Sequence, residues 1–76
     1  MPDTLNTEIL RAHENEDLSS LAKLYQQAGK YAEGRRDIDE ACFFYTTAYV
    51  FALDTGQEKL ASELHSILVE YGREEA

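Results

Sequence analysis

Three observations in the sequence predict an all-α fold of four helices. Apolar residues recur at intervals of three and four, the spacing of one helix face, and no stretch alternates as a half-buried strand would. Pro2 is the only proline, so no later residue forces a helix to break. The four glycines stand at 29, 34, 56 and 72, and residues suited to capping follow the apolar stripes.

The first helix is expected over about 4–13, with Asp3 or Thr4 as its cap and Leu5, Ile9 and Ala12 on one face. Asn15, Glu16 and Asp17 form its exit. The second spans about 18–33 and opens on Asp17, a strong N-cap type. Leu18, Leu21, Ala22, Tyr25, Ala28 and Ala32 make its stripe. Gly29 could close this helix, but the stripe continues to Ala32, which favours Gly34 as the residue just past the end.

The third helix covers about 37–53 and starts at Asp37, with Glu40 three residues on in a capping-box arrangement. The fourth covers about 56–71. Thr55 and Glu58 suggest a second capping box there, and Gly72 followed by Arg73 a stop. Leu60, Ala61, Leu64, Ile67, Leu68 and Tyr71 form its stripe. One domain over 1–76 is expected, frayed at 1–3 and 73–76.

The third helix is the unusual one. At about 100° per residue, Ile38, Ala41, Tyr45, Ala48, Tyr49 and Ala52 share a face. Phe43 and Val50 stand opposite, between Thr46 and Thr47, while Phe44 with Phe51 and Cys42 with Leu53 fill the shoulders. A helix apolar nearly all round is buried on more than one side. The expected arrangement sandwiches it between the second and fourth helices, antiparallel to both because the connections are short.

Composition excludes several classes of function. Fifteen acidic against seven basic residues give a net charge of −8, which repels nucleic acid and anionic membranes and favours, if anything, a basic partner. The longest apolar stretch, 41–53, is far short of the roughly 20 residues that span a bilayer. The opening MPDTLNTEIL has neither a basic nor an apolar leader region, so no signal peptide is expected. A lone cysteine, Cys42, argues for a reducing compartment and a cytoplasmic location.

Part of the chain resembles the tetratricopeptide repeat. Leu21, Ala22, Tyr25 and Gly29 have the spacing of that family's first helix, and Ala41, Tyr45 and Ala48 that of its second. Leu64, Leu68 and Gly72 repeat the spacing of Leu21, Tyr25 and Gly29. The resemblance covers about residues 18–72. It departs at Leu18, where the family has a tryptophan-like opening, lacks the closing proline, and carries about seven extra residues between Tyr31 and Glu40. Leu21 and Leu64 are accordingly 43 residues apart, against a family period of about 34. The stretch 41–56 also resembles a segment of small bacterial proteins of unassigned function. The tetratricopeptide resemblance implies a helical hairpin that binds proteins, with a peptide groove lined by Ser19, Lys23, Gln26 and Gln27 on the second helix and Lys59, Ser62 and Ser66 on the fourth. No basic clamp of the kind used by chaperone-binding members is evident.

No catalytic, metal or cofactor site is expected. His13 and His65 lack acidic or histidine partners at i+4, no ligand spacing suits zinc or calcium, and no glycine-rich phosphate loop occurs. A Cys42–His65 pair across the third and fourth helices is conceivable, although a buried thiol and, separately, a boundary histidine is the plainer reading. The acidic groups at 14–17 and 37–40 read as caps and solvated faces. The expected function is a non-enzymatic module that binds a protein or peptide. The alternatives are a homodimer that buries Phe43, Val50 and Phe51, or an acidic inhibitor of a basic partner.

Overall fold

The computed structural model describes residues 2–75, and in them the chain is all-α. Helices α1 (Asp3–Glu14), α2 (Leu18–Gly34), α3 (Ile38–Asp54) and α4 (Glu58–Glu70) agree with the sequence reading to within two residues at each end. Asp3, expected to be frayed, is the first residue of α1; residues 1 and 76 lie outside the described residues. The N-cap of α1 is Pro2, with no side chain bonded to the first turn, so neither Asp3 nor Thr4 caps it. Asp17 and Asp37 cap as expected: the amide of Ser20 donates to Asp17 at 3.2 Å and that of Glu40 to Asp37 at 3.1 Å.

All four helices end in the same way. A left-handed residue, Glu16 (φ 52°), Arg36 (φ 64°), Gly56 (φ 70°) or Gly72 (φ 72°), donates its amide to the carbonyl three residues back. The next amide reaches five back: Asp17 to Ala12, Asp37 to Ala32, Gln57 to Ala52 and Arg73 to Leu68. This paired arrangement satisfies the last carbonyls of each helix. At the first three ends the same residue is also the N-cap of the next helix, which is why three-residue connections suffice.

That economy overturns two sequence expectations. Gly34 is still helical and Arg36, not a glycine, takes the left-handed position, because only then can Asp37 both close α2 and open α3. Thr55 is the C-cap of α3, its hydroxyl donating to the Phe51 carbonyl at 2.8 Å, and Gln57 is the N-cap of α4. The side-chain amide of Gln57 donates to the Ser19 carbonyl at 3.2 Å, tying the α3–α4 turn to the start of α2.

Each helix packs on the next in sequence, with α3 between α2 and α4. One buried cluster joins Ala22 and Ala32 of α2 to Ala41, Cys42, Tyr45, Ala48 and Ala52 of α3 and Ala61, Leu64 and Leu68 of α4. A second joins Leu5, Ile9 and Ala12 of α1 to Leu21, Leu24 and Ala28 of α2. Small residues bring α2 and α3 close, and the fully buried Tyr45 ring fills the space above Gly29. Gly29 therefore lies inside α2 under an aromatic ring, whereas Gly72 ends α4 in a left-handed conformation. Their equal spacing in sequence does not correspond to equal roles. The extents of 33 × 29 × 14 Å describe a flattened body, in which α3 cannot be covered on every side.

Candidate functional site

The uncovered side of α3 is the most distinctive surface of the molecule. Phe43, Val50 and Leu53 are 66%, 49% and 56% exposed, and they fall on one face because they are seven and three residues apart. Thr46 and Thr47 lie between them, Thr46 exposed and the Thr47 hydroxyl turned back to the Phe43 carbonyl at 3.0 Å. Beside Phe43 a shallow depression is lined by Asp39, Cys42, Thr46, Thr47 and Arg73; beside Leu53 a second holds Tyr49, Glu58, Ala61, Ser62 and His65.

Phe51 does not belong to this face. It is half-buried, its ring stacked on Tyr25 at 6.0 Å and edge-on to His13 at 6.3 Å. It stands some 100° beyond Val50 on the helix, which turns it towards α2 and the end of α1. Leu53 takes the place that sequence reading gave to Phe51. The helical wheel alone does not separate the two, since Phe51 and Leu53 each stand about 80° from Phe43 on opposite sides of it, and the packing of α2 and α1 on the Phe51 side decides.

The face is held rigidly from behind. The Glu33 carboxylate, at the end of α2, accepts hydrogen bonds from the hydroxyls of both Tyr45 on α3 and Tyr71 just past α4. One carboxylate thus ties three helices together. Burial, and then the Glu33 carboxylate, raise the Tyr45 hydroxyl far above the usual tyrosine range; for Tyr71 the hydrogen bond to Glu33 is the larger cause. At the edge of the face Arg73 pairs with Asp39 at 2.6 Å, closing the C-terminal turn onto the first turn of α3.

The seven groove residues are distributed over several shallow depressions. Lys23 and Gln27 line a depression between α1 and α2 with Arg11, Asn15 and Leu24, while Ser19 is exposed nearby and Gln26 is half-buried. Ser62 lies in the depression between α3 and α4, Lys59 lines another with Leu60 and Glu63, and Ser66 is exposed. At one end the two sets meet, because the side-chain amide of Gln57, which lines the same depression as Lys59, donates to the Ser19 carbonyl at 3.2 Å.

Cys42 is buried, and His65 lies against the Tyr49 ring at 5.8 Å, two turns along α3 from the thiol. Those two turns are about 10 Å of helix, too far for a nucleophile–base hydrogen bond. His13 instead shares a 2.9 Å hydrogen bond with the Tyr25 hydroxyl. Among the described residues no three His, Cys, Asp or Glu side chains converge as a metal ion requires, and no helix is long and apolar enough to cross a membrane.

No family model, curated protein or solved structure matches this chain.

Proposed function

We propose that this chain is a non-enzymatic docking module that presents the outer face of α3 to a helix or peptide of another protein. The observation that carries the reading is the exposure of Phe43, Val50 and Leu53 together on one helix whose remaining faces are packed. Large apolar side chains scattered singly over a surface need no explanation, whereas a row at helical spacing is the form in which one helix reads another. The tetratricopeptide resemblance supports the same class of function, although the surface differs from the groove it implies.

The test compares the wild type, Phe43→Glu and Lys23→Glu as baits in affinity purification from the cells that make the protein, with helicity checked by circular dichroism. A partner held by the wild type and by Lys23→Glu, and lost with Phe43→Glu, is the expected result. A partner lost with Lys23→Glu and kept by Phe43→Glu would move the docking site to the α1–α2 depression.

A further inference from the structure

The charges around the α3 face say what kind of helix it takes. Asp54 is the last residue of α3 and exposed, next to Val50 on the helix surface. That is where the helix dipole disfavours an anion, and α3 carries no basic residue in its last turn to offset it. Glu58 lines the depression beside Leu53 and is also exposed. Its place in the first turn of α4 suits the dipole there, but it adds a second negative charge to the same end of the face. Among the described residues the ion pairs are Arg73–Asp39 and Arg35–Glu40, and neither reaches Asp54 or Glu58. The apolar row therefore runs from a neutralised end, the Arg73–Asp39 pair, to an end with two free carboxylates.

We infer that the occupant of the α3 face is an amphipathic helix of a second protein, apolar along one stripe and bearing lysine or arginine where it meets Asp54 and Glu58. The inference rests on the docking reading and adds the chemistry of the partner. A second copy of the chain fits less well. An antiparallel α3–α3 pair would set Asp54 and Glu58 against an Arg73 already engaged by Asp39, and would join two bodies of net charge −8. A helix that brings its own cations satisfies both carboxylates and keeps its leucines on Phe43, Val50 and Leu53.

Two synthetic amphipathic helices test this, with the same leucine stripe but flanked in one by lysine and in the other by glutamate. Binding is measured by fluorescence anisotropy at moderate salt, and the mass of the free protein by analytical ultracentrifugation. The lysine-flanked helix should bind, the glutamate-flanked one at least roughly tenfold more weakly. Asp54→Lys with Glu58→Lys should weaken the lysine helix by a similar factor. Glu8→Lys with Glu14→Lys, the same charge change on exposed positions of α1, should weaken it less than about threefold. Phe43→Glu should abolish binding of both helices.

Equal binding of the two helices, lost in both cases with Phe43→Glu, would overturn the basic-partner inference and leave the docking reading standing. So would equal losses from the α3–α4 and α1 charge pairs, since attraction would then be to net charge alone. A free protein that is dimeric through Phe43 and ignores the lysine helix would also overturn it, in favour of a second copy. A monomer that binds neither helix would overturn both readings.

Discussion

Gly29→Ala should unfold this protein more readily, although alanine is the better helix former. A methyl group on Gly29 would lie 2.5 Å from Cε1, 2.6 Å from Cδ1 and 2.9 Å from Cζ of the Tyr45 ring. Ordinary contact begins near 3.4 Å, so the ring would have to retreat by about 1 Å. Tyr45 has nowhere to go: it is fully buried among alanines and leucines, and its hydroxyl is held by Glu33. Overpacking of this kind costs about 1–3 kcal/mol. Pulling the hydroxyl away from the carboxylate would cost about 1.5–3 kcal/mol more. Against these, replacing glycine within a helix gains about 1 kcal/mol. The net expectation is a loss of about 1.5–5 kcal/mol, each kcal/mol lowering Tm by roughly 4–8 °C for a domain of this size. Gly34→Ala serves as the control, because a methyl there meets nothing within 4 Å and the residue is helical. It should be neutral or stabilising by up to about 1 kcal/mol. Thermal unfolding followed by circular dichroism separates the two. A Gly29→Ala protein that melts at or above the wild-type temperature would refute the account of the α2–α3 interface. If Gly29→Ala is as damaging in a Tyr45→Leu background as in the wild type, the ring is not the cause.

Gly56→Ala should cost about 1 kcal/mol in urea unfolding, from its left-handed φ of 70° and not from any clash. Asp37→Ala should cost about 1 kcal/mol through the lost cap on α3, read by the same method. Hydrogen bonds from the side chain and then the amide of Ser20 hold the Asp17 carboxyl below its usual value of 3.8. Its contribution is therefore complete above about pH 4 and lost as pH falls through the depressed value; Asp17→Ala should show a shallower acid limb in a pH–stability series. Tyr45 and Tyr71 are shifted the other way, above the usual 10.0. The stability they confer is complete below about pH 10 and lost as pH rises through their folded-state values, because the unfolded hydroxyls ionise first. Tyr45→Phe with Tyr71→Phe should lower stability at neutral pH and flatten its decline above pH 10; an unchanged alkaline slope would contradict the Glu33 network.

What could be read from the sequence was local. Leu5, Ile9 and Ala12, or Leu21, Ala22, Ala28 and Ala32, announce buried stripes because a helix repeats every 3.6 residues whatever lies across from it. Asp17 and Asp37 announce helix starts because a short carboxylate reaches its own backbone. Where the sequence reading slipped by a residue or two, at Gly34 and Thr55, two local preferences competed and the shared turn geometry chose between them. The recurrence of Ala12, Ala32 and Ala52 twenty residues apart, each the acceptor of a helix-closing bond, was a further sign of that geometry.

The sequence by itself thus determined the number of helices, their approximate ends and most of the stripes that α1, α2 and α4 bury, although Leu18 of the α2 stripe is exposed and Leu24, outside it, is buried against α1. It showed that α3 is apolar on nearly every side, and it could not say which side stays open. Tertiary structure alone decided that Phe51 turns inward onto Tyr25 while Phe43, Val50 and Leu53 remain outside. It alone brought Glu33 to both Tyr45 and Tyr71, and placed Gly29 beneath a ring from another helix. The physical reason is that periodicity fixes which residues share a face, whereas covering that face depends on neighbours distant in the chain. A helix flanked by two others in a flattened body has more sides than neighbours, and the side left over here carries Phe43, Val50 and Leu53.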